Sequence, residues 1–398
     1  MSMSIKSLRD LLESVELHEN WRTHECLNLA AAENMSSNTA RHLLQTDLGN
    51  RYTNPKGSTF HRGTKFLDEI QSLAEDFAKQ TFNAKFADVR PISGHLADMA
   101  VVMALTRRGD KVLSLSAKDG GYPGTGQTGL GKFLGLGDVF FPYDKRRMNI
   151  NAEETKQLVR REKPRLIIFG ASYILFPQPV REICTASEDA VHIYDGSHVL
   201  GLIAGGEFQD PLREGCSLLL GSTHKSFPGP QGGIIVSDDS AIFKQVADNM
   251  MPGIIDNIHL HRIAALAVSL LEMREFGKAY AKAVVENARA LGRDLHDLGV
   301  NVKCPELGYS SSHQVHLEYD ARQLEIFAGL LEKANMIIDN GGRLGVAEVT
   351  RLGMGVKEMA RIAPLISLIV RGEESAESVK KKVVSIAHEF SEPKYVLE

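Results

Sequence analysis

The chain has 398 residues, 43% of them apolar and 24% charged, which is the composition of a globular protein long enough for two or three structural units. Its 46 basic and 50 acidic side chains give a net charge of -4 without long runs, so there is no electrostatic footprint for nucleic acid or an anionic membrane, and small-molecule chemistry becomes the expectation. Four separated cysteines (Cys26, Cys184, Cys216, Cys304), with no CxxC pair and no histidine at zinc-like spacing, point to buried thiols in a reducing compartment; neither a disulfide framework nor a metal site is expected.

Taken in chain order, MSMSIKSLRDLLES is charged throughout and reads as an amphipathic helix from Ile5 to Val15. No apolar run approaches the roughly 20 residues of a membrane span, so a cytoplasmic protein is expected. Residues 1–40 form an arm of the kind that crosses to a partner subunit. Leu67, Ile70, Leu73 and Phe77 fall at helical spacing between Asp68 and Phe82, and a second helix is predicted from Leu96 to Leu105, followed by a short strand in GDKVLSLS. LIIF (166–169), VHIYD (191–195) and SLLLGSTHK (217–225) are short apolar runs of the type that buried parallel strands show. The pattern breaks at MPG near Met250, and a long helix from His261 to Leu298 leads to a strand candidate in HQVHLEY (313–319). The resulting division is an arm (1–40), a large α/β domain (41–260), and a hinge helix with a smaller C-terminal domain (261–398). The lysines at 380–382 read as a solvated helix face.

The residues that carry chemistry follow the same order. PISGHLAD (91–98) is a turn entering a helix, so the Ser93 hydroxyl and the amides around Gly94 form either an anion cradle or a simple N-cap. GTGQTG matches dinucleotide spacing at Gly124, Gly126 and Gly129, but DGGYP precedes it and no βαβ unit with an acidic residue follows, which leaves a flexible loop. IYDGSH ends an apolar strand on Asp195, where open α/β sheets bind ligands, although an isolated strand-end Asp is also a common helix cap. GSTHKSFPGPQGG ends the next strand on Lys225, a position shared by surface lysines and by lysines crowded enough to lose a proton for Schiff-base chemistry. Ser222 and adjoining backbone would hold a phosphate there, with His224 packed near the amine. A carboxylate such as Asp195 against a pyridine nitrogen keeps that ring protonated and electron-accepting, and His198 would orient the ring or its phenolic oxygen. The pocket implied is one for pyridoxal 5′-phosphate. In GGRLGVAEVTR, Arg343 is the candidate anchor for an amino-acid carboxylate, because a guanidinium binds carboxylates bidentately; Arg351 lies in the same run.

LNLAAAEN, SGHLAD, DGGY, YDGSHVLGLIAGG, GSTHKSFPGPQGG and GGRLGVAEVTRLG, in this order and spacing, resemble the serine hydroxymethyltransferase-like enzymes over most of the chain. The resemblance implies fold type I, the aspartate-aminotransferase-like α/β architecture of a large mixed-sheet domain plus a smaller C-terminal α/β domain. It also implies a homodimer with shared active sites. It makes Lys225 the Schiff-base lysine, Asp195 the partner of the pyridine nitrogen, His198 a cofactor-orienting histidine, and Ser93 with Gly94 the phosphate loop. Tyr52 becomes the tyrosine that reaches the neighbouring subunit's phosphate, and Arg343 the carboxylate anchor. The full cofactor-binding set expected is Tyr52, Ser93, Gly94, His95, Asp119, Ser172, Asp195, His198, Ser222, His224 and Lys225, with Arg343, Tyr52 and Asn54 facing the substrate.

The departures from that family bear on the reaction. Asn54 stands where the hydroxymethyltransferases carry a glutamate, Phe60 to Gly63 replace paired tyrosines and glycines, Asp119 replaces a ring-stacking histidine, and Ala32 replaces the serine of an SEN motif. IIDNIH (254–259) replaces a glycine-rich segment. Asp119–Gly121, Thr223–Gln231, Phe276–Ala281 and His313–His316 resemble segments of the L-threonine transaldolases. The expectation is therefore aldol-type Cα–Cβ cleavage or transfer on a β-hydroxy amino acid, with an aldehyde acceptor and without folate. His61 is the candidate base for the β-hydroxyl proton, with a polar loop histidine as the plain alternative. A folate-dependent hydroxymethyltransferase, or another reaction such as transamination or racemisation, stays open.

Overall fold

The computed structural model describes residues 7–53, 56–58, 60–126 and 129–397. Seven strands form the central sheet: β1 (Phe86–Asp88), β2 (Lys111–Ser114), β3 (Gly137–Phe140), β4 (Leu166–Phe169), β5 (Val191–Asp195), β6 (Leu218–Ser222) and β7 (Gly233–Ser237). Their spatial order is β1-β7-β6-β5-β4-β2-β3, with β7 antiparallel to both neighbours and the other adjacent pairs parallel. The chain direction across the sheet reverses at β2, so the crevice at the carboxyl ends of β2, β4 and β5 is where a ligand of an open α/β sheet belongs.

Those strands read as unbroken apolar runs because both faces are covered. Val112, Leu166, Ile168, Ile193, Leu218, Leu220 and Ile235 point into one core, against Ala97, Val101, Leu105 and Met250. Leu113, Ile167, Phe169, Tyr194, Leu219, Ile234 and Val236 alternate with them and point into the other, against Leu260, Ile263, Leu266 and Leu270. A one-residue slip in register would exchange the two cores, which pins each strand end and the residue standing on it.

Helices cover the sheet close to where their periodicity puts them. α1 spans Leu8–Asn20 with Ser7 as N-cap, α2 spans Leu67–Thr81, and α3 spans Gly94–Leu105, beginning two residues before the predicted Leu96 because Ser93 caps it. α4 (Leu260–Asp297) is a single 38-residue helix buried along much of its length. It starts just beyond the break expected at MPG and is shared by the sheet and the C-terminal layers. On α1, Leu8, Leu11, Leu12 and Val15 are all exposed, an apolar stripe at helical spacing.

Two short sheets organise the C-terminal part. Leu27–Asn28 pairs in parallel with Met336–Ile337, and Gln314–His316 pairs antiparallel with Arg343–Gly345, placing His316 opposite Arg343. The second half of the arm is therefore stitched to the C-terminal layer within one protomer. Helix Ala321–Lys333 packs on Met336–Ile337, helix Ala376–Glu389 on Leu27–Asn28, and helix Val356–Val370 packs against both helices and α4. The four cysteines are all buried and carry no disulfide. No described helix is long and apolar enough to cross a membrane.

Candidate active site

Helix α3 delivers the first part of the site. Ser93 Oγ accepts the Leu96 amide at 3.1 Å, so its side chain is the helix cap. Gly94 sits so close to the end of β6 that a Cβ there would stand 2.3 Å from Ser222 Oγ. Ser197 joins them, its Oγ accepting the Ser222 amide at 2.9 Å. Three hydroxyls and a helix N-terminus thus gather at one point, an arrangement suited to a phosphate. His95 faces outward and contacts the Tyr122 hydroxyl through Nδ1 at 3.2 Å.

Strand ends supply the ionisable groups. Asp195 closes β5, where its Oδ1 accepts the Ser197 amide at 2.9 Å, and it lines a small cavity with Ser114, Leu115, Tyr122, Phe169 and Gly170. Lys225 follows β6, and its Nζ lies 3.2 Å from His198 Nε2. Burial pulls the Lys225 amine below its ordinary pKa; Arg343 acts in the same direction, and Asp195 and Asp98 oppose it. Desolvation of the charged form is the dominant cause, and it favours the free amine that Schiff-base chemistry requires. His198 is driven well below the usual imidazole range, first by burial and then by Lys225 and Arg343. His224, beside the lysine, falls to about 4 for the same leading reason, and its buried Nδ1 has no partner among the described residues.

Arg343, the candidate carboxylate anchor, comes from the C-terminal layer. Arg343 is 9% exposed, lies over the Tyr173 ring at 4.7 Å, donates Nε to Asp339 Oδ2 at 2.8 Å and donates Nη1 to the Ser172 carbonyl. Those bonds hold the guanidinium plane still, and among the described residues Nη2 carries no hydrogen bond, which suits it to a carboxylate. Ser172 therefore takes part through its backbone. Its amide also donates to Gly120 O at 2.8 Å, and Gly120, at φ +94°, admits no Cβ because Tyr173 Cβ would be 2.6 Å away. Asp119, next to it, accepts from Ser116 Oγ at 2.6 Å. Arg351 is a different kind of residue: it is fully buried and paired with Glu272 at 2.6 Å, a link between α4 and the short helix Ala347–Arg351.

The expected set does not all meet at one point. Tyr52 and His61 contact each other, with ring centroids 4.6 Å apart, and Tyr52 donates to Asp256; the described contacts do not bring either to Lys225. Asn54 lies outside the described residues.

Three further residues of the site lie inside the motifs PISGHLAD and HQVH, which by themselves gave them no role. Gln314 Nε2 donates to His198 Nδ1 and to Ser172 O, both at 3.1 Å, while its Oε1 accepts from the Ile174 amide at 3.1 Å and from His316 Nε2 at 2.8 Å. His313 stacks on His198 with ring centroids 5.9 Å apart. Asp98 is fully buried on α3, with Oδ1 unpartnered among the described residues; burial and then Asp195 raise its pKa well above the carboxylate range. A signal for these residues existed. Three polar residues in the four of HQVH are unusual for a buried strand, as is an aspartate inside GHLADMAVVMAL.

The groups present fit pyridoxal 5′-phosphate. A depressed lysine amine, a strand-end carboxylate and a hydroxyl-lined helix N-terminus surround unpartnered buried polar atoms on Asp98 and His224. The family model described as serine hydroxymethyltransferase matches residues 6–326. A serine hydroxymethyltransferase of Methanocella arvoryzae is 39% identical over 413 residues, covering 98% of this chain and 96% of that protein. One from Methanocaldococcus jannaschii is 40% identical over 412 residues, covering 97% and 94%. Among solved structures, an L-threonine transaldolase from Pseudomonas fluorescens in its internal aldimine state superposes with a TM-score of 0.88 at 27% identity, covering 96% of this chain and 91% of that one.

Proposed function

This chain belongs to the serine hydroxymethyltransferase family and is a pyridoxal 5′-phosphate-dependent transferase of fold type I, and from that premise we propose that it cleaves and transfers at the Cα–Cβ bond of a β-hydroxy amino acid, without folate. The observation that carries the reading is the meeting of Lys225, His198 and the pre-braced Arg343 at the strand ends. Lys225 would hold the cofactor's aldehyde carbon, Asp195 its ring nitrogen, and Ser222 with the Gly94 end of α3 its phosphate. When bound, the cofactor supplies the sink for the electron pair released at Cα. Arg343 Nη2 binds the substrate carboxylate and so fixes which Cα bond stands over that sink.

The residues around the second substrate support the folate-independent form. Asn54 offers no acid, and Asp119 replaces an aromatic-stacking imidazole with a carboxylate. The likeness to a threonine transaldolase supports the same choice. The 39–40% identity to hydroxymethyltransferases favours the second reading, one-carbon transfer to a folate. We place the protein in the cytoplasm as a homodimer. The exposed apolar stripe of α1 supports a partner subunit, and Tyr52 and His61 would complete that neighbour's site, with His61 taking the β-hydroxyl proton.

Product analysis of the cofactor-loaded protein with L-threonine and with L-serine, each with and without tetrahydrofolate, tests the choice. Acetaldehyde from threonine in the absence of folate is the expected result. Glycine formed from serine only when folate is present would replace this reading with the hydroxymethyltransferase one.

A further inference from the structure

We propose that Gln314 is a positioning residue which locks His198 in the tautomer protonated at Nε2, so that His198 presents a proton to Lys225 and keeps that lysine a neutral amine. The inference rests on Lys225 being the cofactor-bearing lysine. It follows from counting donors and acceptors around one side-chain amide.

The carboxamide of Gln314 is fully buried and has four partners. A backbone N–H can only donate, so the Ile174 amide, 3.1 Å away, identifies the atom facing it as Oε1. His316 Nε2, at 2.8 Å, fills the second lone pair of that oxygen as a donor. The other end of the amide must then be the NH2 group. One of its hydrogens goes to the Ser172 carbonyl, which can only accept, and the other points at His198 Nδ1. An amide has two acceptor sites and two donor hydrogens, and all four are taken, so no flipped arrangement satisfies the surroundings.

His198 Nδ1 must therefore accept, which puts the single proton of the neutral ring on Nε2. That proton faces Lys225 Nζ at 3.2 Å. An ammonium has three donors and no lone pair, so it cannot accept this bond, whereas a free amine can. The charged and titratable groups acting on Lys225 besides His198 are Asp195, Arg343, Asp98, His224 and His313, and the Ala31 carbonyl, an acceptor, also acts on the His198 ring. Burial holds His198 and His316 in their neutral forms and depresses the lysine, in the sense that the hydrogen-bond directions demand. The Ser172 carbonyl that receives Gln314 also receives Arg343 Nη1, so the carboxylate anchor and the element orienting the lysine's neighbour share one acceptor.

The direct test is nitrogen NMR of the cofactor-free protein carrying 15N-labelled histidine, with the His198 signals assigned by their loss in His198→Asn. Wild type is expected to show an unprotonated Nδ1 and a protonated Nε2 at His198. In Gln314→Met, which conserves volume and removes the amide, the ring should leave that single tautomer, and cofactor uptake at neutral pH should slow at least about ten-fold as more Lys225 is protonated. His316→Phe leaves the Ile174 contact in place and should keep the wild-type tautomer. A proton on Nδ1 in wild type overturns the proposal, and that measurement needs only the assignment variant His198→Asn to fold, not Gln314→Met. Gln314→Met with unchanged ring signals and uptake rate overturns it as well. Borohydride reduction followed by peptide mapping separates the two layers: a label on a lysine other than Lys225 removes the underlying functional reading, while the NMR result bears on Gln314 alone.

Discussion

Arg343 illustrates how much of its role a residue owes to its braces. Asp339, Ser172 and the Tyr173 ring take three of its contacts, so the guanidinium is pre-oriented and would lose little freedom on binding the proposed carboxylate. A lysine keeps the charge and loses the planar fork. Arg343→Lys is therefore expected to raise KM for the amino acid at least about ten-fold, equivalent to about 1.4 kcal/mol, with the cofactor still attached at Lys225. A variant with unchanged KM would move the carboxylate anchor elsewhere. Arg351, from the same glycine-rich run, shows why a motif alone does not assign such a role: its charge is spent on Glu272 in the interior.

At the scale of elements, the short strand Leu27–Asn28 ties the arm to the C-terminal layer. Asn28 Nδ2 donates at 2.7 Å to Glu348 on the helix Ala347–Arg351. Burial, the largest cause, raises the Glu348 carboxyl to about 7. A carboxyl raised above its unfolded value binds its proton more tightly in the folded chain, so stability is lost as pH climbs from the ordinary carboxylate value through about 7. Glu348→Gln, which keeps the shape and the acceptor without the charge, should stabilise the fold by on the order of 3 kcal/mol at about pH 8, read as a higher Tm, and leave Tm nearly unchanged at about pH 4. Equal effects at both pH values would exclude titration of Glu348 as the cause. Element positions were mostly legible in the sequence, because apolar periodicity sets helices such as α2 and two-sided burial sets strands such as β4 and β6. The pairing of Asn28 with Glu348 was not, since nothing local to either residue encodes a contact 320 positions away.

For the whole molecule, the proposed shared site puts Tyr52 and His61 in the neighbouring subunit's pocket; among the described residues of one protomer, Tyr52 contacts His61 and Asp256. Mixing two inactive variants, Lys225→Ala and Tyr52→Ala/His61→Ala, under conditions that exchange subunits should restore activity, because one site of each heterodimer then has all three side chains intact. Failure to recover activity, with heterodimers demonstrated by mass spectrometry, would end the shared-site reading.

The sequence by itself determined the alternation of strands and helices, the burial of the sheet on both faces, and the placement of Asp195 and Lys225 at the carboxyl ends of neighbouring strands. Each of these follows from local patterns of apolar and turn residues. It also marked Arg343, because a guanidinium among glycines is a local feature. Only the tertiary structure decided what surrounds those groups. It brought Gln314 to His198 across 116 positions of chain, turned the Ser172 carbonyl toward Arg343, and set Tyr52 against His61 and Asp256. The reason is that a hydrogen bond has a direction as well as partners. Which atom donates at His198 is settled by the full set of neighbours around one buried amide, and those neighbours come from three separate stretches of the chain.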